Sequence, residues 1–204
     1  MEKIIITEEM IQWTRDFHGH MCPGLAIGIR AAEVALRDIG PHAEDEEVVA
    51  LVETDMCGVD AIQYLTGCTF GKGNLIHLDY GKNAFTFFRR SDGKGVRIVT
   101  RSGAFSSPDP EWEELRNRLG NEDLTPKEQK RFWELHRARS QQILDTPLDE
   151  LFDFKNPQKN IPSHARIMDS LSCDSCGESV METRTRRFSG KTLCIPCSSQ
   201  MESS

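Results

Sequence analysis

Apolar positions recur at helical spacing at both ends of the first 160 residues and at strand spacing in the middle. In "EEMIQWTRDF", Met10, Ile11, Trp13 and Phe17 fall at roughly helical intervals, which predicts an amphipathic helix stopping by Gly19. "CPGLAIGIRAAEVALRDIG" then opens with Pro23 at a favourable first helical position and ends at Gly40-Pro41. It is apolar on most sides and is expected to be central. "EEVVALVETDM" is a short continuous apolar run bounded by charges, the pattern of a buried strand, and "GVDAIQYLTG" after it reads as a short helix. "NLIHLDY", "AFTFFRR" and "VRIVTR", separated by turn-rich pieces, predict a three-stranded antiparallel meander.

Helical spacing returns after Asp109-Pro110, with Trp112, Leu115 and Leu119, and again after Thr125-Pro126-Lys127-Glu128, a capping box ahead of Phe132, Leu135 and Ala138. Thr146-Pro147 starts a last turn through Leu151 and Phe152. "DFKNPQKNIPSHARI" has no period and reads as a linker. The expected class is therefore α+β, an antiparallel sheet with packed helices, over residues 1–163, with residues 164–204 as a second, small domain.

Composition narrows the function classes. A formal charge of −7 opposes broad binding to phosphate backbones, and residues 164–204 carry five Lys or Arg against five Asp or Glu, so the excess of acid lies in the larger part. The mean hydropathy of −0.48 and the lack of a long apolar run argue against a membrane-spanning chain. "MEKIIITEEMIQW" lacks the sections of a secretory signal, so a cytoplasmic location is expected. In a reducing compartment seven cysteines, an odd number, point to metal ligation or thiol chemistry rather than to a disulfide scaffold.

Four of the seven form one set: Cys173-x2-Cys176, seventeen residues, then Cys194-x2-Cys197. Each pair presents two sulfurs on a tight turn, a pattern for tetrahedral zinc, with an iron-sulfur cluster the lesser alternative. Four protein ligands leave no open position, so such a zinc is structural. The segment between the pairs can form a hairpin turning at Ser189-Gly190, and the order knuckle, hairpin, final helical turn is treble-clef-like. Arg184, Arg186 and Arg187 offset the charge of a four-thiolate zinc or face a partner; DNA reading is disfavoured because the segment is net neutral and no recognition-helix length follows Cys197.

The remaining thiols sit at element boundaries. Cys22 precedes Pro23 at a helix start, where unpaired N–H groups and the helix dipole favour a thiolate. His18 and His20 are near enough to join it as ligands or proton carriers, His20 being preferred. Cys57 also precedes a helix, and Cys68 lies in "TGCTFGKGN" with Lys72 four residues on. That last stretch lacks the spacing and the Ser or Thr of a phosphate-binding loop, so a nucleotide site is rejected. Buried structural cysteines and helix-capping histidines are the plain alternatives. Three thiols, two histidines and a lysine at boundaries nonetheless favour a shared metal or thiol site.

"FHGHMCPGLAIGIRAAEVAL", "ALVETDMCGVDAIQYLTGCTFGKGNLI" and "CDSCGESVMETRTRRFSGKTLCIPC" together resemble the FmdE family, named for formylmethanofuran dehydrogenase, over nearly the whole chain. The resemblance implies an α+β core that dimerises, an added C-terminal zinc finger, and association with a molybdenum or tungsten formylmethanofuran dehydrogenase or a related redox complex. It implies a cleft using His20 and Cys22, Cys57 with Asp60, and Cys68 with Lys72, with His20, Cys22 and Cys57 as a candidate second metal site beside the structural Zn2+. Three functions follow as expectations: a metal-binding accessory protein or small enzyme, a thiol redox enzyme or carrier, and a finger-mediated interaction module for protein or nucleic acid.

Overall fold

The computed structural model describes residues 6–104, 109–119, 124–157 and 160–203. Its contacts divide the chain into two compact units, Met1–His164 and Ala165–Ser204.

In the larger unit, helices α1 (Glu8–His18) and α2 (Pro23–Asp38) precede strand β1 (Val48–Val52), helix α3 (Gly58–Thr66), and strands β2 (Leu75–His77), β3 (Ala84–Arg89) and β4 (Gly95–Thr100). Helices α4 (Pro110–Leu119), α5 (Pro126–Asp145) and α6 (Leu148–Leu151) lead to strand β5 (Phe152–Lys155). Thr125 and Glu128 cap α5 reciprocally, as the Thr-x-x-Glu spacing requires. The class is mixed α and β, with one five-stranded sheet in the order β2-β1-β3-β4-β5.

The expected meander is only half present. β3 and β4 form an antiparallel hairpin, but the strand in "NLIHLDY" leaves it and pairs parallel to β1, Ala50 opposite Leu75. α3 supplies the crossover that a parallel pair needs, and a strand of three residues carries no periodicity that would reveal its partner. Phe152 likewise does not end a helix. It begins β5, pairing with Thr100, so the segment read as linker starts inside the sheet.

The sheet has two unlike faces. Ala50, Val52, Phe85, Phe87, Ile98 and Phe152 point to one side and join Ala26, Ile27, Val34 and Ala35 of α2 in the main core. On the other side Val49, Leu51 and Phe88 are covered by Ile76, Leu78 and Ile161. α1 is less apolar towards the core than its spacing predicts: Trp13 and Phe17 are about half exposed, and Thr14 is buried, its hydroxyl donating to the Met10 carbonyl.

The glycine-rich loop after α3 is a fastening. Asn74 is fully buried; its amide nitrogen donates to the Val48 and Asp45 carbonyls at 2.9 and 3.3 Å, and its oxygen accepts from the Thr69 N–H at 2.9 Å. Lys72 donates its ammonium to the Ala43 carbonyl at 2.8 Å. Replacing Asn74 by Ala takes the acceptor from the Thr69 N–H and leaves the buried Val48 carbonyl with only the weak Cys68 thiol as donor, so a loss of about 1–3 kcal/mol in denaturant unfolding is expected.

In the smaller unit, hairpin β6 (Ser170–Ser172) with β7 (Ser179–Met181) and hairpin β8 (Thr185–Phe188) with β9 (Lys191–Cys194) precede helix α7 (Ile195–Glu202). Ser189 and Gly190, both at positive φ, make the tight turn between β8 and β9 where it was expected.

Candidate metal centre

Two groups of side chains converge in metal-ligand fashion among the described residues. In the smaller unit the ligand atoms of Cys173, Cys176, Cys194 and Cys197 lie within 4.8 Å of one another. Cys173 closes a knuckle, its carbonyl accepting from the Gly177 N–H, with Gly177 at a φ of 77° that a side chain would resist. Backbone N–H groups of Cys176, Cys194 and Ser175 hold the Cys173 thiol down at about 6. The Glu178 N–H favours the Cys176 thiolate, yet burial and the neighbouring sulfurs of Cys173, Cys197 and Cys194 push that thiol up to about 12. Four sulfurs at this distance cannot all ionise without a cation, and a thiophilic divalent ion held by Cys173, Cys176, Cys194 and Cys197 would supply the missing charge.

In the larger unit the second group is His18, Cys22 and Cys57, again within 4.8 Å of one another. Each comes from a different helix terminus. His18 is the last residue of α1, which stops because Gly19 turns left-handed at φ 95°. Cys22 caps α2, its sulfur accepting from the Leu25 N–H at 3.3 Å. Cys57 stands at the N-terminus of α3 with no cap bond, so its sulfur is not committed to the helix.

Glycines bring those two helix starts together. A Cβ on Gly28 would lie 2.2 Å from the Gly58 carbonyl oxygen, and one on Gly24 would lie 3.3 Å from the Cys57 Cβ. Only bare backbone lets α2 and α3 cross so closely, and the crossing lays Cys57 beside Cys22. Both thiols then face the positive ends of two helices. Without a cation, burial outweighs that effect at Cys22 and pushes its thiol up to about 11, despite the Leu25 N–H and with the Cys57 sulfur adding to the rise.

His18 carries the clearest sign of a ligand. Its Nδ1 is 2.7 Å from the Asp60 carboxylate on the first turn of α3, which fixes the proton on that nitrogen. Its Nε2 is buried and has no hydrogen-bond partner. A carboxylate behind one ring nitrogen and a bare, buried lone pair on the other is the arrangement of a metal-binding histidine.

The cluster expected from the sequence thus forms in part. Cys22 and Cys57 meet, but His18, not the preferred His20, is the histidine that joins them, and Asp60 stands behind that histidine. His20 is exposed and lies beside the first imidazole, ring centres 4.7 Å apart. The α1 terminus decides this, because His18 is held by the last helical turn while His20 sits beyond Gly19. Cys68 is elsewhere, fully buried in the main core, its thiol donating to the Val48 carbonyl at 3.4 Å and pushed up to about 11 chiefly by burial. Lys72 donates its hydrogen bond to the Ala43 carbonyl and reaches Cys68 only through its charge, which favours that thiolate less than burial disfavours it. The glycine contact was missed, although small residues four apart in "GLAIG" were a signal for it.

The model of the FmdE family, described by the molybdenum formylmethanofuran dehydrogenase operon, matches residues 17–153, and that of the prokaryotic dksA/traR C4-type zinc finger matches residues 169–202. A probable S-adenosyl-L-methionine-binding protein of Archaeoglobus fulgidus is 33% identical over 190 residues, 90% of this chain but 50% of that protein, so the chain spans about half the length of this curated relative. The crystal structure of a tungsten formylmethanofuran dehydrogenase FmdE-like protein from Syntrophus aciditrophicus superposes with a TM-score of 0.60 at 23% identity, covering 98% of this chain and 97% of the other. That likeness shows a common fold. Since the first family model takes in both His18–Cys22–Cys57 and the sheet beneath it, more than half of the sequence, the chain belongs to the FmdE family and carries a C4-type zinc finger at its C-terminal end.

Proposed function

We propose that this protein is a metal-binding member of its family with two unlike sites: a structural zinc held by the finger cysteines, and a divalent ion held in the core by His18, Cys22 and Cys57 with a coordination position left open. The observation that carries the core site is the His18 imidazole, pinned by Asp60 on one side with its other nitrogen buried and unpartnered. One imidazole and two thiolates form a zinc-type donor set, and three protein ligands are the number found where a metal also takes a water or substrate.

The protein's own groups have definable tasks. Asp60 accepts a hydrogen bond from the His18 Nδ1–H and so presents the Nε2 lone pair. The Leu25 N–H donates to the Cys22 sulfur and steadies its thiolate. When bound, the ion supplies Lewis acidity and acidifies a water at its open position. Association with a formylmethanofuran dehydrogenase or a related redox complex, and a homodimer, belong to this reading as what the family relationship supports. The thiol-redox alternative is weakened because burial disfavours the Cys22 thiolate in the metal-free chain, and Cys68 is too deep to act as a resolving thiol.

Metal analysis of full-length variants tests the reading. Cys22→Ser should lose the core ion while retaining the finger's, and Asp60→Asn should weaken core affinity by about 10–100-fold in competition with a chromophoric chelator. If both variants hold as much metal as the unaltered chain, the core-metal reading fails.

A further inference from the structure

The face of the sheet turned away from α2 carries a cleft that the metal sites do not use. Its volume is about 400 Å³, and it is lined by Leu51, Glu53, Thr86, Arg97, Val99 and Lys155 of the sheet, with Leu78, Tyr80 and Lys82 from the β2–β3 connection. Strand register builds its floor: Leu51 stands opposite Thr86, Thr86 opposite Arg97, and Arg97 opposite Lys155. That volume lies within the range of about 300–1,000 Å³ common for small-molecule sites.

Its charges are not balanced. Glu53 is buried and holds Arg97 in a two-pronged pair, Nε to Oε1 at 2.9 Å and Nη2 to Oε2 at 3.1 Å. The pair neutralises itself and locks the guanidinium in place. Its hydrogen bonds to Glu53 use Nε and one hydrogen of Nη2, leaving the Nη1 group facing no carboxylate among the described residues. Lys82 and Lys155 line the same cleft, are exposed, and have no carboxylate within 4.0 Å among the described residues. The Lys82 ammonium lies 5.8 Å from the Tyr80 ring centre, so ring and charge share one wall. A cleft two cations in excess, on a chain whose formal charge is −7, is a local inversion of the protein's field.

We propose that this cleft binds a small dianion on an apolar or aromatic body. The immobilised Arg97 and the two lysines take the charged group, the fork of the guanidinium matching a carboxylate or phosphate. Tyr80, Leu51 and Val99 take the body. Phosphate monoesters and dicarboxylates share this chemistry, and the choice between them is made by experiment.

Full-length protein is titrated with phenyl phosphate and, separately, with phthalate, following the backbone amides of Thr86, Arg97 and Val99 by NMR. Saturable shifts with a Kd of about 1 mM or tighter are expected for at least one probe, and the probe that binds assigns the ligand class. Lys82→Gln and Lys155→Gln, both at exposed positions, should each weaken that binding about five-fold or more, and raised salt should weaken it further. Arg97 is left intact because its loss would strand Glu53. No saturable shift with either probe, or binding indifferent to both lysine substitutions, overturns the proposal.

Discussion

Withdrawing zinc from the finger should unfold residues 165–204 as a unit. The unit is small, and its buried side chains are few: Cys173, Leu193, Cys194 and Ser198. Two of the three apolar ones among these are ligands themselves, so the metal and the core of this unit are nearly the same object. Two short hairpins and an eight-residue helix bury too little to offset about 1–2 kcal/mol of backbone entropy per residue. The four-thiolate site must supply the difference, and structural zinc sites of this kind contribute about 10–16 kcal/mol at neutral pH. Cys176→Ser, or a strong chelator, should therefore expose Arg184, Arg186, Arg187 and Lys191 to rapid tryptic cleavage, and added zinc should restore protection after chelation but not in the variant. Equal protection with and without metal would show that the cysteines do not hold this unit together.

Gly28→Val is expected to disable the core site from outside it. Even the first carbon of the new side chain would stand 2.2 Å from the Gly58 carbonyl oxygen, and the obstacle is backbone, which cannot rotate aside. The helices must separate. Overpacking of this kind costs about 3 kcal/mol or more, and for a unit of this size the midpoint should fall by about 6–12 °C in thermal denaturation. The more telling readout is metal. Cys22 and Cys57 are carried on the two helices that part, so core metal affinity should fall although no ligand has been touched. Gly24→Ala is the milder control, since its Cβ would meet the Cys57 Cβ at 3.3 Å, a tight but adjustable contact. A Gly28→Val protein that melts lower yet binds core metal normally would separate the crossing from the site.

The legibility of the sequence followed the range of the forces involved. Local signals were readable: Pro23 after Cys22, the Thr125–Glu128 box, Gly19 as a stop, and each C-x-x-C pair of the four-cysteine set all act within a few residues. Pairings between distant segments were not. β2 joins β1 in parallel across α3, and Phe152 starts a strand because β4 offers it an edge, neither of which its own neighbours specify. The choice of His18 over His20 belongs to the same class, since it depends on Asp60, 42 residues away. Lys72 is a further case: its place four residues after Cys68 suggests a cation beside that thiol, and its charge does favour the Cys68 thiolate, but its hydrogen-bond donor is spent on the chain's own Ala43 carbonyl.

His18, Cys22 and Cys57 come from three helices that the chain visits in turn. An ion held there would be a cross-link as much as a cofactor, closing the stretch from α1 to α3 into a ring that the unfolded polypeptide lacks. Folding and loading then become one equilibrium: every tenfold rise in free metal above the dissociation constant adds about 1.4 kcal/mol to the native state. The melting temperature of the larger unit would in that case read out the metal supply of its surroundings, and a protein built this way is sturdiest when its ion is plentiful.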